Sequence, residues 1–164
     1  MFTNRYISHH NLEQIGHIGQ QKLLKSSVLI LGAGGLGCPV IAYLGGLGIG
    51  KIGIIDNDVI EIKNLNRQFI YKEQDKGKFK VDIASKFIEE ANSEIEVQVF
   101  KERFTSQNAN RIMENYDLII DCCDNVETRL VLDKACSETD KPFVYGAVGD
   151  FQGQVSVFNY KKGI

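Results

Sequence analysis

Short uninterrupted hydrophobic runs alternate along this chain with longer stretches in which apolar residues recur every three or four positions. The run at 27–31, Ser-Val-Leu-Ile-Leu, suits a strand buried on both faces, as does the run at 117–121. Further strands are predicted at 51–56, 95–100, 143–146 and 154–159. Between them Val81, Ala84, Ile88 and Ala91 mark a helix that begins near Lys78. Other helices are expected over 35–47, closed by Gly48 and Gly50, over 108–115 and over 126–138. Ahead of the first strand, Leu12, Ile15, Ile18, Leu23 and Leu24 form an imperfect helical stripe behind a polar start.

Strands that alternate with helices imply right-handed crossovers. The expected fold is therefore α/β: a Rossmann-like, mostly parallel sheet with helices on both faces. Residues 1–25 read as an N-terminal helical arm, and 26–164 as the nucleotide-binding domain. Ligands of such sheets lie beyond the carboxyl ends of the strands. Gly32, Asp56 and Asp124 fall at those ends. Residues 57–77 are polar and aperiodic, and an irregular stretch of that length inside a compact domain is usually functional.

Composition narrows the field. The 164 residues carry a net charge of −2, so no overall cationic field favours nucleic acid. No apolar run reaches membrane-spanning length and the N-terminus lacks a signal core, which points to a cytoplasmic protein with no membrane partner. Cys38, Cys122, Cys123 and Cys136 include no C-x-x-C pair, which argues against a four-cysteine zinc site within these residues. Cys122 and Cys123 read as small core residues, and the adjacent His9 and His10 as surface histidines.

Candidate chemistry starts at Gly32-Ala33-Gly34-Gly35-Leu36-Gly37, a G-x-G-x-x-G between strand and helix. Such glycines let the backbone approach phosphate while the helix N-terminus favours negative charge. Asp56, with Asp58 two residues on, is placed to accept hydrogen bonds from ribose hydroxyls, which NAD and ATP share. Cations separate the two ligands. A triphosphate needs fixed positive charge at its β and γ groups, which Arg67 and Lys80 offer, with Asn64 and Gln68 as neutral donors. Asp124 is a candidate for Mg²⁺, although with Glu127 three residues later it reads equally well as a helix cap. Asp121 reads equally well as a structural strand-end acid.

Together these residues resemble the ThiF/MoeB/HesA family, which is related to the ubiquitin-activating enzymes. The landmarks are Arg5-Tyr6, Leu12, Ile15-Gly16, Gly19-Gln20, the glycine loop, Asp56-Asn57-Asp58 and Asn64-Leu65-Asn66-Arg67-Gln68. They continue through Gly77-Lys78-Phe79-Lys80, Asp121 to Asn125, Arg129, Pro142 and Gly153-Gln154-Val155. The resemblance implies ATP-dependent adenylation of a ubiquitin-like sulfur carrier, ThiS- or MoaD-like with a Gly-Gly C-terminus, in thiamine or molybdenum cofactor synthesis. By position it implies that Gly35 lies against the phosphates, Asp56 binds ribose, and Asn64, Arg67, Gln68 and Lys80 hold phosphates. Asp124 would hold Mg²⁺, with Asn125 beside the nucleotide. The family forms homodimers. Three features depart from its pattern: Ser8 stands where R-Y-x-R has its second arginine, and two further features do not occur here. These are the paired C-x-x-C motifs for zinc, expected only in longer members, and a downstream transfer cysteine. The chain thus reads as a truncated form or fragment. Alternative readings are a binding module without turnover and an NAD(P)-dependent oxidoreductase.

Overall fold

The computed structural model describes residues 4–161. Its centre is a six-stranded sheet in the order β3-β2-β1-β4-β5-β6. The strands are β1 (Ser27–Leu31), β2 (Lys51–Ile55), β3 (Glu96–Phe100), β4 (Leu118–Asp121), β5 (Phe143–Gly149) and β6 (Gln152–Phe158). The first five run parallel, and β6 returns antiparallel along β5. After β3 the chain crosses back over β1 to lay down β4. Strand order therefore reverses between β1 and β4, and a crevice opens at their carboxyl ends.

The hydrophobic runs are continuous because both sheet faces are covered. Ile30, Ile52 and Ile54 point to one side. There they pack on Cys38 and Ile41 of α3 (Gly37–Leu47) and on Val81, Ala84 and Ile88 of α4 (Lys80–Ala91). Leu29, Leu31 and Ile55 point to the other side. Their partners are Ile112 and Met113 of α5 (Ala109–Met113) and Leu132, Ala135 and Cys136 of α6 (Val126–Thr139). Leu29, Ile30 and Leu31 have no exposed surface, so each contributes about 1.5–3 kcal/mol through burial. The expected α/β architecture is the one observed. The helix at 35–47 starts two residues later than predicted and ends at Gly48, whose left-handed φ of 76° closes it.

The N-terminal arm differs from its predicted stripe. It forms two helices, α1 (Ile7–His10) and α2 (Gly16–Lys25), and leaves Leu12 and Ile18 exposed at 48% and 72%. Polar contacts fasten it instead. Arg5 Nη1 donates to the Ala91 carbonyl at the end of α4, and the buried Tyr6 hydroxyl accepts from Asn92 Nδ2. Gln20, fully buried, donates to the Leu47 carbonyl and meets His9 Nδ1 at 2.6 Å. His9 and His10 are half-buried rather than surface residues, and the His10 ring stacks on His17.

The last hairpin is longer than predicted. β5 continues past the predicted end at Gly146 to Gly149 and β6 begins at Gln152, so the turn is Asp150-Phe151. β4 pairs with β5 from Phe143 only as far as Tyr145, so the rest of the hairpin rises beyond the tip of β4. Among the described residues no helix is long and apolar enough to cross a membrane.

Candidate functional site

Above the β1–β4 crevice lies a cleft of about 600 Å³, a size ordinary for a small-molecule site. β1 delivers the glycine loop to its floor. Gly32, at φ 93°, turns the chain and donates its N–H to the Ile55 carbonyl. A Cβ there would lie 2.9 Å from the Cys122 carbonyl oxygen, so only glycine lets the β1 and β4 tips approach. No side chain caps the start of α3, where the Cys38 N–H already donates to the Gly34 carbonyl and Pro39 has no N–H to offer.

Asp56 follows β2 and already serves the fold. One carboxylate oxygen accepts from the Ala33 N–H of the glycine loop, the other from the Asp58 N–H, both at 2.8 Å. Each oxygen keeps a further lone pair for a ligand hydroxyl. Burial raises the Asp56 pKa, partly offset by those two N–H groups and by Lys80.

The irregular segment is ordered by a short antiparallel pairing. Ile60 and Lys78 share a backbone bond, Val59 bridges Phe79, and the Lys80 N–H donates to the Asp58 carbonyl. The Tyr71 hydroxyl ties this segment to the glycine loop through the Ala33 carbonyl, 2.7 Å away. The Asn64 carbonyl accepts from the N–H groups of both Arg67 and Gln68, a turn that brings the two residues to the cleft. The Arg67 stem passes 3.4 Å from where a Cβ on Gly35 would stand, and its exposed guanidinium donates to Asn66. Asn64 and Gln68 are buried, and each has a carboxamide oxygen with no hydrogen-bond partner. Unpaired buried acceptors are costly and cannot bond phosphate oxygens, so any phosphate contact of Asn64 and Gln68 falls to their carboxamide NH₂ groups. Lys80 opens α4, is 4% exposed, and lies 2.7 Å from Asp58 Oδ2.

Across the cleft, Asp124 and Asn125 follow β4. The helix cap falls on Asn125, not Asp124: Asn125 Oδ1 accepts from the Thr128 N–H at 2.9 Å. The capping reading of Asp124 is thereby corrected, and its exposed carboxylate stands beside the cleft. Asp121 is the structural acid, 1% exposed, accepting from the Cys123 N–H. Cys122 and Cys123 both line the cleft, but Cys123 is only half-buried. Burial pushes the Cys122 thiol up to about 12 and raises Cys123 as well, so neither supplies a thiolate.

Gly32, Gly34, Gly35, Asp56, Asp58, Asn64, Arg67, Gln68, Lys80, Asp124 and Asn125 thus all line one cleft. Sequence reasoning missed Glu102, Arg103 and Phe104, which also line it. They follow directly on β3, so the strand-tip rule could have found them. Arg129, noted only as a landmark, lines it too, together with Thr128 and Val148 of the hairpin. Among the described residues no group of three histidine, cysteine or acidic side chains could hold a metal by itself.

A profile described as the ThiF family matches residues 6–164. The chain belongs to the ThiF family. This ThiF-family chain is 49% identical over 159 residues to a probable molybdopterin-synthase adenylyltransferase of Porphyra purpurea, across 97% of its own length and 42% of that relative. It is 40% identical over 157 residues to a sulfur carrier protein adenylyltransferase of Thermus thermophilus, across 96% of itself and 58% of the relative. Among solved structures, the E. coli tRNA N6-threonylcarbamoyladenosine dehydratase TcdA in complex with ATP superposes with a TM-score of 0.83. That match has 25% identity and covers 91% of this chain and 63% of TcdA. The ThiF-family chain therefore spans less than two thirds of each of these proteins.

Proposed function

We propose that this chain binds Mg·ATP in the cleft and adenylates the C-terminal carboxylate of a ubiquitin-like sulfur carrier ending in Gly-Gly. One observation carries the reading: Arg67 and Lys80 meet the glycine loop in the same cleft as Asp56. A dinucleotide's two phosphate charges are served by a loop and helix N-terminus, whereas a triphosphate calls for these extra cations. The names of the relatives and the ATP complex of TcdA support the same class of chemistry.

In the proposed step a carrier carboxylate oxygen attacks the α-phosphorus. The bond from that phosphorus to the oxygen bridging the β-phosphate breaks, and pyrophosphate leaves with its electron pair. The nucleophile is already ionised, so no protein base is needed, and catalysis rests on positioning and charge neutralisation. Asp56 orients the ribose. Asn64, Gln68, Arg67 and Lys80 hold the phosphates, and Arg67 and Lys80 offset charge that grows on the leaving group. Asp124 would hold Mg²⁺ delivered with the nucleotide. A single exposed carboxylate fits a cation whose other ligands are phosphate oxygens and water, and does not fit a metal held by protein alone. When bound, Mg²⁺ neutralises phosphate charge.

The proposal extends to a homodimer working in the cytoplasm, in molybdenum cofactor or thiamine synthesis. ATP–pyrophosphate exchange with MoaD-like and ThiS-like carriers tests the activity and separates the pathways. Exchange that requires both Mg²⁺ and a Gly-Gly terminus is expected. A folded chain that binds Mg·ATP but exchanges no pyrophosphate with either carrier is a binding module. Thermal stabilisation by NADH and not by Mg·ATP would replace both readings with an oxidoreductase.

A further inference from the structure

Arg129 has no part in the chemistry above, yet it stands between the end of β4 and the middle of β5. Its Nη2 donates to the carbonyls of Cys123 and Gly146, the latter at 2.9 Å. Its Nη1 lies 3.5 Å from the buried Asp121 Oδ2, and its guanidinium covers the Tyr145 ring at 4.5 Å. Asp121 in turn accepts from the Cys123 N–H at 2.9 Å. Cys123 is therefore held on both sides, its N–H by Asp121 and its carbonyl by Arg129. That carbonyl belongs to the peptide that leads into Asp124. The Asp124 side chain itself is exposed, while the next residue, Asn125, is fixed as the cap of α6. The peptide entering Asp124 is thus clamped from the β4 side by the Asp121–Arg129 pair, and the residue after it, Asn125, is tied by its side chain to α6.

We propose that Arg129 is a positioning residue, which with Asp121 fixes the Cys123–Asp124 peptide so that the Asp124 carboxylate meets a nucleotide-bound divalent cation. The inference rests on the Mg·ATP reading for its purpose, but the clamp itself is measurable without nucleotide. A guanidinium suits the role because one nitrogen serves two carbonyls while the other faces Asp121, all over an aromatic ring. An ammonium lacks that fork.

Arg129→Gln and Arg129→Lys test it in the whole chain. Amide hydrogen exchange at residues 123–125 is followed in the free protein, and ATP binding is titrated with and without Mg²⁺. Arg129→Gln is expected to speed exchange at Cys123, whose N–H Asp121 holds, and to raise the half-saturating Mg²⁺ by roughly 10-fold, as loss of outer-shell support does at metal sites. Metal-free ATP affinity should stay within about twofold, since Arg129 holds no phosphate, and Arg129→Lys should fall between. Unchanged exchange at Cys123, or a lower melting temperature with unchanged Mg²⁺ dependence, overturns the proposal. If the unaltered chain binds no ATP, the function above fails, and amide exchange alone decides whether the clamp exists. Should Arg129→Gln not fold, Arg129→Lys carries the same comparison.

Discussion

The Lys80 ammonium is buried and lies 2.7 Å from Asp58, a carboxylate that is itself 61% exposed. The pairing holds a cation ready at the cleft edge, and the backbone bond from the Lys80 N–H to the Asp58 carbonyl keeps the two together. Lys80→Met keeps the stem and removes the charge. ATP affinity is expected to fall by ~10- to 100-fold, the weight of one charge-assisted hydrogen bond. AMP, with no β or γ phosphate, should lose little. Parallel calorimetric titrations with ATP and AMP check this, and equal losses for both would show that Lys80 does not serve the outer phosphates.

Arg67 differs from Lys80 in that its guanidinium is exposed and carries no carboxylate partner among the described residues. Arg67→Ala is therefore expected to leave the melting temperature nearly unchanged. ATP binding should weaken by ~1.5–3 kcal/mol if the fork bonds phosphate. Raising the ionic strength should shrink the gap between the two proteins, because an exposed charge is screened. A wild-type affinity in Arg67→Ala would remove the cation argument on which adenylation rests.

Asp56 gives a pH signature. Burial raises its pKa above the ordinary 3.8, so the folded chain keeps the proton to higher pH than the unfolded chain does. Ionising Asp56 therefore lowers stability as pH rises through the window between the two values. Ribose recognition runs the other way, since the carboxylate is the better acceptor. Nucleotide affinity should rise over that same window, with its midpoint above 3.8. Asp56→Asn is expected to weaken AMP binding by about tenfold at neutral pH and to flatten this acid limb. An acid limb retained in Asp56→Asn would assign it to another group.

Most of the fold and much of the cleft could be read from the chain because the signals are local. Buried parallel strands are continuous apolar runs, and the glycine loop and Asp56 sit at strand ends by rule. Arg67 and Lys80 were legible as the fixed cations a triphosphate calls for. What failed was settled by tertiary contacts. The stripe from Leu12 to Ile18 looked like a buried face, but Tyr6 and Gln20 hold the arm through polar bonds that periodicity does not register. Asp124 and Glu127 had the spacing of a cap, while the bond belongs to Asn125 one residue on. Arg129 makes its contacts to two carbonyls far apart in sequence, one just past β4 and one inside β5, which no spacing announces.

Two glycines of α3 separate packing from helix propensity. A Cβ on Gly37 would stand 2.1 Å from the Gly32 carbonyl oxygen. The obstacle is backbone that cannot yield, because Gly32 is bonded to Ile55 and abuts Cys122. Gly37→Ala should therefore destabilise the chain by ~1–3 kcal/mol and disturb the phosphate loop together with it. Gly46 lies in the same helix with nothing within 4 Å of its added Cβ. Gly46→Ala should instead stabilise by ~0.4–1 kcal/mol, through lost freedom of the unfolded chain. Urea midpoints read both effects at unchanged slope. If both substitutions shift the midpoint the same way, the close approach of Gly37 to Gly32 is not what holds the loop against α3.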